Sequence, residues 1–200
     1  MTGGLSAIVL AAGHARRFGA DKLLQRFNGA PLVTHAVNAA LAAPVARVVI
    51  VKRPGLELDR VCRAAAARHA RIEIIEIASD ALSDSLSAGL AAVSGGAFIF
   101  LGDMPLIPPN LPALLKGAIG ERLAAVPTCE GRPGHPVLLS ARAAPLAVSI
   151  IGDHGLGSLL RQNAHDVAYL ETHDPRVVLD IDTAEDYARL SGERPTIASD

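Results

Sequence analysis

With 200 residues, half of them hydrophobic and only 3% aromatic, the chain is long enough for one large domain with a core built mainly from Ala, Val, Leu and Ile. Its formal charge of −1, without a basic cluster, argues against a nucleic-acid groove and against binding to an anionic membrane surface. We therefore expect a small-molecule partner, and neither nucleic acid nor membrane.

The cysteines and the apolar runs also limit the class of protein. Cys62 and Cys129 are far apart and lack CxxC spacing, so neither a disulfide framework nor a zinc site is indicated. No apolar run reaches the roughly 18 residues of a membrane helix, and the N-terminus lacks the layout of a signal peptide. We expect a cytoplasmic protein with a single domain over residues 1–191 and a tail over residues 192–200.

Short apolar runs alternate with segments of helical spacing in the first half of the chain. The predicted strands cover residues 5–10, 45–51, 72–77 and 97–101. The predicted helices cover residues 32–42, 56–69 and 86–93. This alternation predicts βαβ units with right-handed crossovers, and hence a three-layer, Rossmann-like α/β domain with a mostly parallel central sheet.

The second half of the chain is less regular. A proline-rich loop precedes a predicted helix that ends near Gly117, and a turn-rich excursion covers residues 128–134. Further strands are predicted at residues 123–126, 136–139, 167–170 and 177–181. Thr183 is predicted to cap a last helix that ends at Leu190.

The loop after the first predicted strand combines small residues with cations. Ligands of parallel α/β sheets bind beyond the carboxyl ends of the strands. Ala11, Ala12 and Gly13 allow backbone N–H groups to approach a base or a phosphate, and Arg17 and Lys22 supply positive charge for a polyphosphate. Neither GxxxxGK[ST] nor GxGxxG is present, which disfavours a P-loop and a dinucleotide site. An ordinary turn with solvated cations is the alternative.

Acidic residues follow two of the predicted strands. Gly102 and Asp103 end the continuous apolar run 97–101, where a carboxylate would repel phosphate oxygens unless a divalent cation lay between them. Asp103 therefore predicts Mg²⁺. Asp180 and Asp182 alternate at a later strand end, which places both on one face, and Asp182 is the favoured second ligand. Capping of a turn or a helix by these carboxylates is the structural alternative.

The first loop resembles, in residues and spacing, the LA[AG]GxxxR[MF]GxxK signature of nucleotidyltransferases related to molybdenum cofactor guanylyl- and cytidylyltransferases. The matching residues are Leu10, Ala11, Ala12, Gly13, Arg17, Gly19 and Lys22. The resemblance implies a nucleotide-diphospho-sugar transferase type of fold, a loop that binds a nucleoside triphosphate, and catalytic roles for Arg17, Lys22 and Asp103. The Ala-Ala-Gly form of the loop goes with CTP in that family and Ala-Gly-Gly with GTP, so Ala12 favours CTP.

Residues 79–90 are similar to the GxSxSLxxGL segment of the same family, which contacts the base and ribose. The matching residues that we assign to nucleotide binding are Ser83, Ser85, Leu86 and Gly89, together with Gly102 at the metal-binding strand end. A helix N-cap is the alternative role for Ser83.

Two later loops are similar to the acceptor-side loops of the family. Arg132, Gly134, His135 and Pro136 belong to a GxxGHP element, in which the histidine would hydrogen-bond either a substrate phosphate or its ring system. Residues 151–157 are similar to a GDxGx[RG] loop. Its acceptor-binding residues would be Asp153 and Gly155.

These resemblances imply a Mg²⁺-dependent transfer of CMP from CTP to a phosphorylated acceptor, with release of pyrophosphate. Molybdopterin is the favoured acceptor, and a molybdenum enzyme would receive the product. A GTP-using guanylyltransferase and a sugar-phosphate or methylerythritol-phosphate cytidylyltransferase are the enzyme alternatives. A non-catalytic protein that binds or delivers a nucleotide or the cofactor is the alternative of another class, because Ala15 and Ala81 depart from the family pattern.

Overall fold

The structure, a computed structural model, describes residues 4–13, 22–55, 61, 71–79, 81–148 and 155–191. Its strands are β1 (Ser6–Ala11), β2 (Arg26–Phe27), β3 (Ala30–Pro31), β4 (Arg47–Lys52), β5 (Ile72–Glu76), β6 (Ala97–Leu101), β7 (Ala124–Cys129), β8 (Arg132–Pro133), β9 (Val137–Leu139) and β10 (Val167–Glu171). Its α-helices are α1 (Leu32–Ala42), α2 (Leu82–Ala91), α3 (Leu111–Ala118), α4 (Ala144–Val148), α5 (Gly155–Gln162) and α6 (Ala184–Ser191). None of these described helices is long and apolar enough to cross a membrane.

The central sheet has eight strands in the order β10-β7-β9-β6-β1-β4-β5, with β8 paired to β7, while β2 and β3 form a separate hairpin. Strands β6, β1, β4 and β5 run parallel, as do β7 and β10. Strand β9 lies antiparallel between β6 and β7. The predicted mostly parallel sheet is therefore confirmed: β9 separates two parallel blocks, and the short β8 pairs antiparallel with β7.

Helices cover both faces of the sheet. Alternate residues of β1 point to opposite faces, so that Ala7 and Val9 pack with the cluster of α1, α3 and α6, whereas Ile8 and Leu10 pack with the cluster of α2, α4 and α5. All four are less than a tenth exposed. Burial on both faces explains why the central strands read as continuous apolar runs, and it confirms the three-layer architecture.

The predicted strands of the first half are present within two residues of their predicted bounds, and the helix predicted at 32–42 is present as α1. Helix α2 begins four residues earlier than predicted. Of the helix predicted at 56–69, only Val61 lies among the described residues, and it is helical. The cap of the last helix is confirmed: the Thr183 hydroxyl accepts from the Asp186 N–H at 3.1 Å, and the Asp186 carboxylate accepts from the Thr183 N–H at 3.0 Å.

The strand predicted at residues 177–181 is wrong. Pro175 begins a short 3-10 helix, Pro175–Val178, and the Asp174 carboxylate caps it by accepting from the Arg176 N–H at 3.0 Å. A proline at the first helical position and an Asp before it favour this turn over an extended strand. Asp180 and Asp182 therefore lie on irregular chain rather than alternating along a strand.

Candidate active site

Strands β1 and β6 end side by side and bring the first loop next to the acidic strand end. Leu10 is in register with Leu101. The Gly102 N–H donates a 2.9 Å hydrogen bond to the Leu10 carbonyl oxygen, and Asp103 follows directly. The carboxyl ends of parallel strands thus place the loop and the carboxylate at one edge of the sheet, where ligands of such sheets bind.

Lys22 connects this edge to the C-terminal part of the chain. Its Nζ donates to Asp103 Oδ2 at 2.9 Å and to Asp182 Oδ1 at 2.8 Å. One carboxylate oxygen of Asp103 and one of Asp182 therefore contact the same ammonium nitrogen. The backbone supports the same arrangement, because the Ile181 N–H donates to the Asp103 carbonyl at 3.1 Å. Carboxylates from the two halves of the chain thus converge on the ammonium group of Lys22, a residue that is only 8% exposed.

Counted over the described residues, the local charge balance at this point is negative. Burial alone would lower the pKa of Lys22, but the neighbouring Asp103 and Asp182 raise it above its ordinary value, so the ammonium stays charged. Asp180 is an exposed residue, yet desolvation of its carboxyl and then the charges of Asp182 and Asp103 raise its pKa. Three carboxylates around one ammonium leave an excess of negative charge, which favours binding of a cation.

The donor atoms at this point fit a hard divalent cation. Asp103, Asp180 and Asp182 supply oxygen ligands, the kind that Mg²⁺ and Mn²⁺ prefer. Among the described residues, no three His, Cys, Asp or Glu side chains already converge as a metal site, and the Lys22 ammonium lies between two of the carboxylates. The three carboxylates therefore fit the expected Mg²⁺, because they supply oxygen ligands and an excess of negative charge.

We call the cavity above these residues the polar cavity; it measures about 320 Å³. Its chemically informative lining residues are Ala11, Ala12, Gly13, Lys22, Ser85, Asp103, Asp180 and Asp182. The cavity combines backbone from the first loop, one buried cation and three carboxylates. These are the groups that a nucleoside triphosphate and its metal ion need.

A second cavity of about 370 Å³ lies next to the first and shares the side chains of Leu10, Leu82 and Leu101 with it. We call it the apolar cavity. Its lining residues include Leu86, Val126, Gly134, His135, Leu160, Arg161 and Tyr169. The predicted acceptor loop thus borders a cavity adjacent to the one that the predicted nucleotide loop lines, as a two-substrate reaction requires.

Close packing fixes the predicted acceptor loop. A Cβ on Gly134 would lie 2.1 Å from the Val177 carbonyl oxygen, so only glycine fits there. The next residue, His135, donates its backbone N–H to the same oxygen at 2.8 Å. The His135 ring Nδ1 lies 3.3 Å from the Ile99 carbonyl oxygen of β6. The loop is therefore attached to the 3-10 helix on one side and, on the other, to β6, the strand that precedes Asp103.

Other predicted site residues lie elsewhere. Ser83 is 2% exposed, and α2 carries it inside the packing rather than at its cap, because the N-cap is Ala81. Gly89 allows α2 to approach β1, since a Cβ there would lie 2.6 Å from Ile8 Cγ2. The predicted residues that line neither cavity are Ser83, Gly89, Gly102, Arg132 and Pro136. Gly155 is the first residue of α5. Those outside the described residues are Arg17, Gly19 and Asp153.

Sequence reasoning missed Arg53, which directly follows β4. Its guanidinium donates to the Gly13 carbonyl oxygen at 3.1 Å. The register explains the contact, because Ala11 pairs with Lys52 across β1 and β4, and the next residues lie beyond the strand ends. The signal was available: the rule that ligands bind beyond the carboxyl ends of parallel strands applies to β4 as well as to β1 and β6.

Comparison with known proteins identifies the family. The model for the MobA-like NTP transferase domain matches residues 7–167. The chain belongs to this family. The resemblance inferred from the first loop is therefore confirmed at the family level, and the chain is of the nucleotidyltransferase type. Within this MobA-like chain, Asp180 and Asp182 lie beyond the matched residues, although the fold brings them to the polar cavity.

Curated relatives of this MobA-like chain have more than one role. The probable molybdenum cofactor guanylyltransferase of Thermococcus gammatolerans is 28% identical over 166 residues, which cover 77% of this chain and 80% of that protein. Purine catabolism protein PucB of Bacillus subtilis is 28% identical over 196 residues, which cover 92% and 94%. The bifunctional protein GlmU of Cereibacter sphaeroides is 37% identical over 112 residues, but the chain spans only 24% of its length.

Solved structures agree with the fold. Rv0371c from Mycobacterium tuberculosis superposes with a TM-score of 0.80 at 25% identity, covering 96% of this chain and all of that chain. The same mycobacterial protein has been solved in complex with manganese, and that structure superposes with a TM-score of 0.75 at 25% identity, covering 94% and 98%. The Rossmann-like nucleotidyltransferase fold is thus shared over the whole length of this relative.

Proposed function

We propose that this protein transfers CMP from CTP to a phosphorylated small molecule, with molybdopterin as the favoured acceptor, and releases pyrophosphate. One observation carries the proposal. A buried Lys22 joins Asp103 and Asp182 at the floor of the polar cavity, directly beside the Ala11–Gly13 backbone. This arrangement offers anion-binding N–H groups, a fixed cation and metal-binding carboxylates within one ligand-sized space.

Each group has a role toward the triphosphate. The backbone of Ala12 and Gly13 would approach the nucleotide closely, since Gly13 carries no side chain and faces open space. Lys22 would neutralise charge on the phosphates, and by family resemblance Arg17 would do the same. Ser85, 3% exposed at the cavity wall, offers a hydroxyl to the ribose or base.

Asp103 and Asp182, with Asp180 nearby, would hold a divalent cation, and Mg²⁺ is the expected one. When bound, such a cation neutralises the triphosphate oxygens and fixes their geometry. The manganese complex of the mycobacterial relative supports a divalent cation in this type of fold. The Lys22 ammonium, which now lies between the two carboxylates, would then be free to turn toward the phosphates.

The reaction itself needs positioning more than proton transfer. An oxygen of the acceptor phosphate would attack the α-phosphorus of CTP in line. A new P–O bond forms there as the bond from the α-phosphorus to the oxygen bridging to the β-phosphate breaks, so that pyrophosphate leaves. A phosphate monoester has its second pKa at about 6 and is already deprotonated at neutral pH, so no general base is required.

CTP as the donor and molybdopterin as the acceptor are supported by different observations. Ala12 is 1% exposed in the cavity wall and gives the Ala-Ala-Gly form of the loop, which favours CTP. GTP is the second candidate donor, because the relatives of Thermococcus and Pyrococcus are named as guanylyltransferases. Those names also favour a molybdopterin acceptor. A cytoplasmic location and a molybdenum enzyme as recipient of the product stay predictions.

The deciding experiment is calorimetry with CTP, GTP, ATP and UTP, each with Mg²⁺, on the wild-type protein and on Asp103→Asn. We expect CTP to bind most tightly, and Asp103→Asn to weaken its binding at least tenfold. Asp166→Asn is the matched control, because Asp166 pairs with Arg142 rather than lining the polar cavity. Unchanged CTP binding in Asp103→Asn would contradict the metal role, and a preference for GTP would contradict the role of Ala12.

Pyrophosphate release separates the enzyme from a delivery protein. We expect the wild-type protein to release pyrophosphate from CTP only when molybdopterin is added. Tight CTP binding without any release would favour the non-catalytic alternative.

A further inference from the structure

The ring of His135 offers one defined hydrogen-bonding group to the apolar cavity. Its Nδ1 lies 3.3 Å from the Ile99 carbonyl oxygen. A carbonyl oxygen only accepts hydrogen bonds, so Nδ1 must carry the hydrogen. In a neutral ring with this tautomer, Nε2 has a lone pair and no hydrogen, and it is an acceptor only.

The surroundings of His135 favour the neutral ring. Gly134 and Val177 pack closely against this loop. Burial lowers the pKa of His135, and the opposing effects, its bond to Ile99 and the charge of Asp103, are smaller. The residue remains half-buried in accessible surface because one side borders the cavity.

The rest of the apolar cavity leaves Nε2 available to a ligand. Within the described part of the chain, no group forms a hydrogen bond with this nitrogen. Leu86, Val126 and Leu160 supply apolar walls, and the Tyr169 ring lies at the surface with 48% exposure. Apolar walls with an acceptor nitrogen suit a ring system that carries an N–H or O–H at its edge, and the Arg161 guanidinium that also lines the cavity only donates.

We infer that Nε2 of His135 accepts a hydrogen bond from the ring system of the acceptor, and that His135 does not bind the acceptor phosphate. This inference rests on the proposed function and makes it more specific. A phosphate dianion presents only acceptor oxygens, and these would face a lone pair rather than a donor. His135 therefore contacts the ring of the acceptor, and the acceptor phosphate is left to the cationic groups that line the two cavities, Lys22 and Arg161.

The first test measures the tautomer. Long-range 1H–15N spectra of protein labelled with 15N-histidine should show, at pH 7, a protonated Nδ1 and an unprotonated Nε2 for His135, with the signals assigned by their loss in His135→Phe. Addition of inorganic phosphate or pyrophosphate should leave this pattern unchanged. A ring with hydrogen on Nε2, or conversion to the imidazolium when phosphate is added, would overturn the inference.

The second test uses two pteridine probes that differ in hydrogen-bond donors. Lumazine carries ring N–H groups, whereas 1,3-dimethyllumazine carries none. By calorimetry with saturating CTP and Mg²⁺, the wild-type protein should bind lumazine about three- to tenfold more tightly, the effect of one hydrogen bond. His135→Phe should bind the two probes alike. His135→Gln, which keeps an amide oxygen as an acceptor, should retain part of the preference.

The matched control is His35→Phe. His35 also bonds a backbone carbonyl through its ring, with Nε2 2.8 Å from the Phe27 oxygen, but it lines neither cavity. This variant should keep the full preference for lumazine. If His135→Phe kept it as well, the inference would be wrong. If CTP failed to bind the wild-type protein, the proposed function would fail, while the 15N spectra would still report on His135.

Discussion

The two cavities lie side by side and share three leucine residues, yet they are built in opposite ways. The polar cavity lies over the ends of β1 and β6 and gathers one ammonium and three carboxylates. The apolar cavity includes the loop before the antiparallel strand β9, and its polar contribution at that loop is a neutral His135. Among the described lining residues, the charged groups thus belong mainly to the polar cavity, with Arg161 the charged residue of the apolar cavity, so we expect a change in one cavity to affect the other little.

The largest effect should come from removing the cation of the polar cavity. Lys22→Met leaves Asp103 and Asp182 without their shared ammonium group. It also removes the positive charge that we propose neutralises the triphosphate. We expect the kcat of pyrophosphate release to fall at least about a hundredfold, the scale of losing one preorganised charge-stabilising donor. Lys116→Met is the control, because Lys116 is exposed on α3. If kcat fell by less than threefold, Lys22 would have no catalytic role.

The next largest effect is expected from a substitution in the loop that borders the apolar cavity. In Gly134→Ala, the new Cβ would overlap the Val177 carbonyl oxygen, so the loop must move, at a cost of about 1–3 kcal/mol or more in the free energy of unfolding. Urea denaturation measures this cost, and lumazine binding should weaken more than CTP binding. Gly117→Ala, at a helical site with open space around it, should be neutral or slightly stabilising. Equal weakening of both ligands would show that the cavities are not independent.

A smaller effect is expected at the first loop. Arg53→Gln removes the 3.1 Å hydrogen bond to the Gly13 carbonyl oxygen. Because Arg53 lies beside the loop rather than lining the polar cavity, the KM for CTP should rise about two- to tenfold with kcat little changed. Arg47→Gln, at the opposite end of β4, is the control and should leave the KM unchanged. A fall in kcat without a change in KM would contradict a loop-positioning role.

The smallest effect concerns pH. The pKa of His135 in the folded protein lies below its ordinary value of 6.5. The unfolded chain therefore binds a proton that the folded protein does not, and the free energy of unfolding should decrease as the pH falls below 6.5. His135→Phe should reduce this decrease. Denaturation at pH 7.5 and pH 5.5 measures it, and an identical pH dependence in wild type and variant would place the His135 ring outside the buried environment.

The sequence predicted the polar cavity better than the apolar one, for a physical reason. The ends of parallel strands lie at one edge of a sheet, so Lys22 and Asp103 could be brought together from strand order alone. The contact between Gly134 and Val177 joins a loop to a short 3-10 helix more than forty residues away, and no local periodicity predicts it. Asp180 and Asp182 were assigned to the metal from an incorrect strand, yet they line the polar cavity on irregular chain.

The hydrogen bonds of the C-terminal segment have a consequence for protein engineering. Val177 accepts from the loop of the apolar cavity, while Ile181 donates to the strand end that carries Asp103. A chimera that takes its ring specificity from another family member should therefore include residues 175–191 of the same parent. If only the residues that the family model matches were exchanged, Val177 and Ile181 of one parent would have to form their hydrogen bonds with a loop and a strand end from the other parent.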